Sequence, residues 1–446
     1  MNLLRMIQNR EARIGVIGMG YVGLPLALAF AREEFAVTGI DLSVDKVQSI
    51  NNGKSYISGV DDIHDVVEAE LFRATCDFSV IRDQDVVIIC VPTPLSKNQD
   101  PDLSYIRSVV VELKNYMRPG SLVILESTTY PGTTEELIAN ELLLLGLKPG
   151  VDYYLCYSPE RVDPGNKTYT ILNTPKVVGG MTATCLDLGD ALYSAIVTRT
   201  VRVSTTKAAE MSKLLENTFR SVNIAFINEI ALLCDRIGIN VWEVIQAASS
   251  KPFGFMPFYP GPGIGGHCIP LDPMYLSWKV KGENFFSRFI ELSQDLNRNM
   301  PRYIMQKIGD VLNARGKSIK GSRILLLGMA YKPDVSDWRE SPGLEIYELL
   351  EEKGAILVAN DPFCEHVRTE KGHVVQVQKT IDPKDLTEYD CVVLLTAHSV
   401  YDLSIIANSG VTILDTRNAF SAFDIPTIIR IGDSMSIVNE PSLVRI

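Results

Sequence analysis

The stretch RIGVIGMGYVG, residues 13–23, joins a run of apolar residues to a glycine-rich turn, and LPLALAFA follows it directly. A short apolar run of this kind indicates a buried strand, and LPLALAFA has the composition of a buried helix. The pattern G-x-G-x-x-G over residues 18–23 therefore lies at a strand-to-helix turn. Because this glycine pattern is weak by itself, its surroundings decide what it means.

The surroundings match a dinucleotide-binding turn. Gly18 would allow the tight turn, Gly20 would let the backbone approach a pyrophosphate at the helix N-terminus, and Gly23 would let helix and strand pack closely. A second strand, AVTGID, ends at Asp41, 18 residues after Gly23. An acid there hydrogen-bonds ribose hydroxyls and repels a 2′-phosphate. The sequence therefore predicts NAD rather than NADP, and the alternative is a tight turn without a ligand.

The order of strand-like and helix-like stretches predicts the domain organisation. Apolar strands separated by helices indicate a parallel sheet that is covered on both faces, and a long helical stretch near the middle of the chain separates two such regions. We expect an α/β fold with two Rossmann-like doubly wound domains, joined by a central all-helical domain with one long connecting helix. The expected boundaries are 1–204, 205–317 and 318–446.

Composition excludes several classes of protein. The chain has 446 residues, of which 46% are hydrophobic and 22% are charged, and its net charge is −11. This charge argues against a nucleic-acid partner, and no apolar run approaches the length of a membrane helix. The start, MNLLRMIQNR, lacks the features of a signal peptide. The eight cysteines form no C-x-x-C pair, so we expect no metal site, reduced thiols and a cytoplasmic location.

One cysteine differs from the rest. Cys268 lies in PGPGIGGHCIP, residues 260–270, on a predicted loop that leads into a helix near Asp272. Helix N-termini lower the pKa of a thiol and favour the nucleophilic thiolate. Oxidation of an alcohol to an aldehyde needs no nucleophile, but further oxidation to an acid does. A thiolate would add to the aldehyde to give a thiohemiacetal, whose oxidation gives a hydrolysable thioester. The alternative is a small residue that fills a tight loop.

Polar residues recur at helical spacing in EMSKLLENTFR. Lys213, Asn217 and Arg220 are spaced i, i+4 and i+7, so they share one face of the predicted helix. Such a face is either solvated or buried against a cleft. In the second case a lysine could stabilise an oxyanion or transfer a proton.

Further candidates lie where predicted strands end, which is where open α/β sheets bind their ligands. Thr93 and Thr128 follow two strands of the first domain, and each could equally cap a turn. Lys332, Arg339 and Arg417 follow strands of the last domain. These cations would suit a phosphate-bearing substrate, and the alternative is that they are simply solvated.

The motifs together resemble one family. GMGYVGLPLA, CVPTP, ESTTYPGTTEE, YSPERVDPGN, TTKAAEMSKLLENTFR, PGPGIGGHCIPLDP and GMAYKPDVSDWRESP occur in order from about residue 13 to about residue 420. They resemble the UDP-glucose/GDP-mannose dehydrogenase family, and SPERVDPGN and PGPGIGGHCIPLDP are most similar to its UDP-N-acetylglucosamine 6-dehydrogenase branch. That resemblance implies a four-electron oxidation of C6 of a UDP-sugar with two NAD for polysaccharide synthesis, and a homodimer formed through the central helices.

The resemblance also implies a role for each matching residue. It implies that Cys268 is the nucleophile. The acid, base or helper residues that it implies are Lys213, Asp272, Asn217, Thr128 and Glu160. Its cofactor contacts are Gly18, Gly20, Tyr21, Val22, Gly23, Asp41, Lys46, Thr93, Thr128 and Arg339. Its substrate contacts are Arg161, Val162, Lys213, Asn217, Arg220, Lys251, Phe258, Tyr259, Gly265, Tyr331, Lys332 and Arg417.

Three alternatives remain open at this point. The substrate could be another UDP-hexose, such as a galactosamine, mannosamine or glucose derivative. The chemistry could be the two-electron oxidation of a hydroxyacid, which needs neither a loop thiol nor a third α/β domain. The chain could also be a catalytically silent NAD-dependent sensor.

Overall fold

A computed structural model of the protein describes residues 2–57, 60, 63–96, 100–161, 166, 168–266, 268–369 and 371–433. The chain forms two compact units. The first comprises residues 1–216 and 271–286, and the second comprises residues 217–270 and 287–446. The three-domain division with boundaries at 204 and 317 stays a prediction.

The first unit contains an eight-stranded sheet in the order β3-β2-β1-β4-β5-β6-β7-β8. Its strands are β1 (Ile14–Ile17), β2 (Val37–Ile40), β3 (Phe72–Thr75), β4 (Val86–Ile89), β5 (Leu122–Leu125), β6 (Tyr154–Tyr157), β7 (Lys176–Gly180) and β8 (Thr200–Val203). The first six strands are parallel, whereas β7 pairs antiparallel with β6. Among the described residues between β6 and β7 there is no helix.

Helices cover both faces of this sheet. Adjacent residues of one strand enter different apolar cores, since Ile88 packs in one core and Ile89 in the other. Such double coverage explains why the strands are continuous apolar runs. The α-helices of the unit are α1 (Leu3–Gln8), α2 (Gly23–Arg32), α3 (Val44–Asn51), α4 (His64–Glu68), α5 (Ser104–Tyr116), α6 (Asn140–Leu143) and α7 (Ala183–Tyr193). A π-helical segment, Thr134–Ala139, precedes α6, and a 3-10 turn covers Phe78–Asp83.

The second unit contains a seven-stranded sheet in the order β11-β12-β10-β9-β13-β14-β15. Its strands are β9 (Arg323–Leu327), β10 (Ile356–Asn360), β11 (His366–Arg368), β12 (Val374–Gln378), β13 (Cys391–Leu394), β14 (Ile413–Asp415) and β15 (Ile428–Arg430). Only β11 runs antiparallel among the described strands of this sheet. Adjacent residues of β9 also enter different apolar cores, since Leu326 packs in one core and Leu327 in the other. The prediction of two doubly wound Rossmann-like sheets is therefore confirmed.

The helical middle of the chain is also confirmed. Its helices are α8 (Thr206–Ile237), α9 (Val241–Ser249), α10 (Cys268–Lys281) and α11 (Arg288–Asn313). In the last part of the chain α12 (Pro342–Glu352) and α13 (Leu403–Ala407) follow, with a 3-10 turn at Pro383–Glu388. α8 has 32 residues and is the long helix that the apolar spacing predicts. Of the helices in the described part of the chain, none is both long and apolar enough to cross a membrane.

Candidate active site

The glycine turn between β1 and α2 is built as a dinucleotide fingerprint requires. Gly18 has φ +94°, and a Cβ there would lie 2.5 Å from the carbonyl oxygen of Cys90. A Cβ on Gly23 would lie 1.8 Å from the Gly18 carbonyl oxygen, so no larger residue fits. A Cβ on Gly20, by contrast, would meet no heavy atom within 4 Å. The space beside Gly20 is therefore open to a ligand that approaches the backbone.

Asp41 ends β2 next to this turn. Its carboxylate accepts hydrogen bonds from the backbone N–H groups of Met19, at 2.8 Å, and Ser43, at 2.9 Å. Lys46 Nζ lies 3.1 Å from the same carboxylate. Tyr56, which the sequence patterns did not single out, donates from its hydroxyl to the Met19 carbonyl at 2.5 Å. These contacts hold the turn, and the pattern of tight and open glycines fits NAD.

Two further cofactor candidates lie in the turn itself, where Val22 immediately precedes α2 and Tyr21 is 44% exposed. Thr93 is buried after β4, and its carbonyl accepts a hydrogen bond from the hydroxyl of Tyr275 on α10. Arg339 lies in the second unit and is bound to Asp337 at 2.9 and 2.7 Å.

Thr128 lies in the loop between β5 and the π-helical segment, and a buried carboxylate fixes that loop. Glu210 on α8 is fully buried and accepts from Gly132 N at 2.5 Å and from Thr134 N and Oγ1 at 2.8 and 2.7 Å. Burial raises the pKa of Glu210 from 4.5 to about 7, although these hydrogen bonds oppose the rise. Sequence reasoning missed Glu210 because its partners lie more than 70 residues away, at separations of 78 and 76.

Glu160 and Arg161 follow β6. The Arg161 backbone N–H donates to Glu160 Oε1 at 2.7 Å. The Arg161 guanidinium donates to the Pro175 carbonyl at 2.7 Å and pairs with Glu216 at 2.7 Å. Val162, the next predicted substrate contact, lies outside the described residues.

α8 carries the polar row that the sequence predicts. Lys213 and Asn217 are only 8% and 7% exposed, so this face is buried rather than solvated. Arg220, one turn further on, is exposed. Two apolar residues of the same helix are exposed instead, since Leu215 is 59% exposed and Phe219 is 45% exposed, whereas Leu214 is fully buried.

Cys268 is the first residue of α10 and is exposed. The expectation of a loop cysteine before a helix that starts near Asp272 is therefore wrong by one turn of helix. Pro270 fits in the first turn of the helix, where the backbone N–H groups have no intrahelical acceptor. Pro273 lies inside the helix and removes one intrahelical hydrogen bond. Asp272, four residues after Cys268, is 3% exposed. Among the described cysteines the only other exposed one is Cys76.

The loop before Cys268 packs against the strand ends of the second unit. A Cβ on Gly265 would lie 2.7 Å from Tyr331 Cβ, and the Gly266 N–H donates to the Arg339 carbonyl at 3.1 Å. A Cβ on Gly261 would lie 2.6 Å from a guanidinium nitrogen of Arg417. Glycine is required at 265, where a backbone oxygen and a Cβ lie close, whereas at 261 the end of the flexible Arg417 side chain could move aside.

Arg417 is a half-buried cation at the end of β14. Its Nε donates to the Leu395 carbonyl at 2.8 Å. Burial lowers the pKa of Arg417 to about 10, and Asp415 opposes this change. A guanidinium in such surroundings suits a phosphate ligand. Lys332, the predicted cation after β9, is half-buried.

The segment after α9 presents aromatic side chains. Lys251 Nζ lies 4.9 Å from the centre of the Phe253 ring. Phe258 packs on Phe219, with ring centroids 5.7 Å apart, and Tyr259 stacks on Trp242 at 6.4 Å. Tyr259 is nevertheless 60% exposed.

Family models match nearly the whole chain. Residues 12–197 match the NAD binding domain of the UDP-glucose/GDP-mannose dehydrogenase family, residues 207–299 match its central domain, and residues 325–422 match its UDP binding domain. The chain belongs to the UDP-glucose/GDP-mannose dehydrogenase family. It is a UDP-sugar dehydrogenase, and its cofactor is NAD.

Relatives within this family differ in the sugar that their names give. The chain is 35% identical to a UDP-N-acetyl-D-mannosamine dehydrogenase of Campylobacter jejuni, over 88% of this chain and 97% of the relative. It is 32% identical to a UDP-N-acetyl-D-glucosamine 6-dehydrogenase of Salmonella typhi, over 88% and 91%. The structure of a UDP-D-ManNAc dehydrogenase from Pyrococcus horikoshii superposes with a TM-score of 0.83 at 32% identity, covering 95% of this chain and 99% of that one.

Membership of the UDP-glucose/GDP-mannose dehydrogenase family fixes the reaction class and the cofactor. It does not fix the sugar, because relatives of nearly equal similarity carry different names. The roles of the individual site residues also stay predictions.

Proposed function

We propose that this UDP-sugar dehydrogenase oxidises C6 of UDP-N-acetylglucosamine to the uronic acid, through a covalent intermediate on Cys268. The observation that carries the proposal is the exposed thiol at the first residue of α10. A helix N-terminus favours a negative charge, so it favours the thiolate over the thiol. The other cysteines of the family motifs have no such position, since Cys90 and Cys156 are buried.

The thiolate makes four-electron oxidation possible. In the first oxidation the C6 hydroxyl loses its proton to a base and C6 loses a hydride, which gives an aldehyde. Cys268 Sγ then adds to the aldehyde carbon, and the oxygen takes up a proton, which gives a thiohemiacetal. Loss of a second hydride and a proton gives a thioester. Water hydrolyses the thioester, releases the thiolate and leaves the carboxylate. When bound, NAD accepts one hydride in each oxidation.

The chain's own residues supply positioning and proton transfer. Lys213 and Asp272 are buried, and we assign them the acid and base roles of the two oxidations. Asn217 orients the sugar or the hydrolytic water, and Thr128 and Glu160 assist the hydrolysis. Partial burial of these groups strengthens their electrostatic effect on developing charge.

The second unit would bind the nucleotide end of the substrate. Arg417 Nε donates to the Leu395 carbonyl, and a terminal guanidinium nitrogen lies beside Gly261. Gly261 and Gly265 bring a backbone loop to within a few ångströms of Arg417 and Tyr331. We infer that Arg417 and Lys332 bind the diphosphate, and that Arg161, Arg220, Lys251, Phe258, Tyr259, Gly265 and Tyr331 complete the contacts.

The stoichiometry of the reaction tests this proposal. We expect two NADH per UDP-sugar consumed, because the reaction removes four electrons. One NADH would indicate a two-electron dehydrogenase, and none would indicate a sensor. The variant Cys268→Ala should lose formation of the acid while its affinity for NAD is unchanged. A Cys268→Ala variant that still makes acid at the parent rate would refute the covalent mechanism.

The identity of the sugar needs a separate measurement. The motif resemblance favours UDP-N-acetylglucosamine, whereas the similarity to a UDP-N-acetyl-D-mannosamine dehydrogenase makes that epimer the second candidate. Comparison of kcat/KM for the UDP-linked forms of N-acetylglucosamine, N-acetylmannosamine, N-acetylgalactosamine and glucose decides between them. The product is a building block for a surface polysaccharide, and synthesis in the cytoplasm agrees with the lack of a disulfide among the eight cysteines, all of which are described.

A homodimer through α8 is part of the proposal. Leu215, Phe219, Phe226, Leu233 and Ile237 are 59%, 45%, 55%, 48% and 57% exposed, respectively. They are spaced four, seven, seven and four residues apart, so they form one stripe along the helix. A continuous apolar stripe in water is unfavourable, and a second copy of the same helix would cover it.

A further inference from the structure

A fully buried histidine, His398, lies in the second unit, outside the residues assigned to the reaction. It stands four residues after the end of β13, and its side chain is 0% exposed. The Phe363 ring lies beside the imidazole, with ring centroids 5.0 Å apart, and the Tyr401 ring meets it edge-on at 5.5 Å. These two neighbours fix the plane of the imidazole, so each of its nitrogens keeps a definite partner.

The partner of His398 Nε2 is Asp361, a buried carboxylate. Asp361 Oδ2 accepts from the backbone N–H groups of Met329 and Ala330, both at 2.8 Å, and lies 3.0 Å from His398 Nε2. Burial would raise the pKa of Asp361, but the hydrogen bond with His398 and those with backbone N–H groups outweigh burial, and the pKa is lowered. Because the carboxylate is an acceptor, Nε2 carries a hydrogen and donates it to Asp361.

The other ring nitrogen, Nδ1, contacts the loop between β9 and α12. It accepts from the backbone N–H of Asp334 at 3.0 Å, and Asp334 Oδ1 accepts in return from the N–H of Ser399 at 2.9 Å. Asp334 has φ +61°, in the left-handed region that residues other than glycine rarely adopt. Such a conformation persists when the surroundings hold it. The two hydrogen bonds therefore fix the loop at a residue whose backbone conformation is unfavourable.

This loop, residues 328–341, also contains Tyr331 and Lys332, two of the proposed substrate contacts. Pro333 lies between Lys332 and Asp334. Its ring fixes its own φ and restricts the backbone of the residue before it. A displacement of Asp334 is therefore passed on to Lys332.

We propose that His398 is a positioning residue for the UDP-sugar, which holds the loop 328–341 in place by accepting from the Asp334 N–H. Asp361 fixes the ring from the other side, so that Nδ1 stays directed to that N–H. The effect on substrate binding rests on the proposed contacts of Tyr331 and Lys332. The hold on the loop does not, because it concerns only hydrogen bonds within the protein.

Three substitutions of His398 separate its two hydrogen bonds. His398→Asn places an amide oxygen near the position of Nδ1 and has no group that reaches Asp361. His398→Gln places an amide nitrogen near the position of Nε2 and has no acceptor for the Asp334 N–H. His398→Phe keeps a ring and removes both hydrogen bonds. We expect the loop to be held in His398→Asn and released in the other two variants.

Backbone hydrogen exchange of the full chain, followed by mass spectrometry without substrate, measures the hold on the loop. Peptides that cover residues 328–341 should exchange about tenfold faster in His398→Gln and His398→Phe, because the loop opens more often once the Asp334 N–H has lost its acceptor. His398→Asn should stay within about twofold of the parent rate, because its amide oxygen can replace the lost acceptor. Parent-like exchange in both His398→Gln and His398→Phe, or equal acceleration in all three variants, would overturn the proposal.

Two controls distinguish release of the loop from loss of the fold. Peptides of β9, at the centre of the same sheet, should exchange at the parent rate in His398→Gln and His398→Asn. Acceleration of β9 equal to that of the loop would mean that His398 supports the whole unit, and would overturn a specific hold on the loop. The matched control is His366→Gln, since His366 is an exposed histidine on β11 of the same sheet. It should leave the loop unchanged.

Affinity for UDP separates this inference from the proposed function. Isothermal titration with UDP should give a Kd about tenfold higher in His398→Gln, because a displaced loop weakens binding, and a Kd within about twofold of the parent in His398→Asn. The Kd for NAD should be unchanged in both. Faster loop exchange with a parent Kd for UDP would uphold the hold on the loop and refute the contact from Lys332. Unchanged loop exchange would refute the positioning role whatever the Kd for UDP.

Discussion

At the residue scale, the glycines of the first turn differ in how much space a side chain would have at their positions. Gly23 has a backbone oxygen 1.8 Å from where a Cβ would stand, whereas Gly20 has open space. Gly23→Ala should destabilise the protein by about 1–3 kcal/mol or more, because the backbone must shift. Urea unfolding measures this loss.

Gly20→Ala is the matched control for that experiment. Its methyl group meets no protein atom, so we expect unfolding at nearly the parent urea concentration. The same methyl group would stand where the backbone admits a pyrophosphate, so the Kd for NAD should rise about tenfold or more, which corresponds to about 1.4 kcal/mol. A Gly20→Ala variant with parent affinity would show that NAD does not approach this residue.

Glu210 allows a prediction on pH. Its pKa is raised from 4.5 to about 7, so the folded state holds the proton more tightly than the unfolded state does. The stabilisation that this group provides is therefore fully present below about pH 4.5. It decreases by about 3 kcal/mol in total as the pH rises through about 7. The free energy of unfolding of the parent should fall by this amount relative to Glu210→Gln between those pH values. A difference that does not change with pH would contradict the raised pKa.

Charged pairs such as Lys176 with Glu126 could not be predicted from the sequence. The glycine turn and Asp41 were predictable, because their spacing lies within one strand–helix–strand unit. Lys176 and Glu126 are 50 residues apart, and neither belongs to a short motif with a known geometry. Only the folded sheet brings their strand ends together.

At the element scale α8 carries buried polar residues and exposed apolar residues in addition to its buried apolar face. Lys213 and Asn217 are buried, whereas Leu215 and Phe226 are more than half exposed, at 59% and 55%. Its length and type were predictable from apolar spacing, because one face still repeats at helical period. Which of its faces is covered was not predictable, because both the buried face and the exposed stripe contain apolar residues.

The exposed apolar stripe on α8, from Leu215 to Ile237, leads to a prediction about the oligomeric state. Leu233→Asp places a charge on the stripe and should convert the dimer to monomers, which size-exclusion chromatography with light scattering detects. Leu144→Asp is the matched control, because Leu144 is 79% exposed and lies outside α8. Dissociation by both variants, or by neither, would argue against α8 as the dimer interface.

Short strands at or next to the sheet edges are the elements that sequence reasoning missed. β3, β11, β12 and β15 have three to five residues each, and β12 alternates buried Val375 and Val377 with exposed Val374, Gln376 and Gln378. The central strands were found because burial on both faces makes them continuous apolar runs. Edge strands contact fewer neighbours, so their sequences resemble those of loops.

At the scale of the whole molecule, the two sheets repeat one strand order. β3-β2-β1-β4-β5 in the first unit corresponds to β12-β10-β9-β13-β14 in the second. Asp41 and Asp361 follow the equivalent strands, and each accepts at 2.8 Å from the backbone N–H of a methionine after a glycine with positive φ. The surroundings differ, because Asp361 is fully buried and contacts His398 Nε2 at 3.0 Å.

This difference predicts that only one of the two sheets binds NAD. Asp41 borders the glycine turn that precedes α2 directly, whereas 14 residues, 328–341, separate β9 from α12. Asp41→Asn should therefore raise the Kd for NAD about tenfold with little change in Tm. Asp361→Asn should leave the Kd unchanged and lower the Tm, because it weakens a buried network of backbone N–H groups and His398. Loss of NAD affinity in Asp361→Asn, with the fold intact, would mean that the second sheet also contributes to the cofactor site.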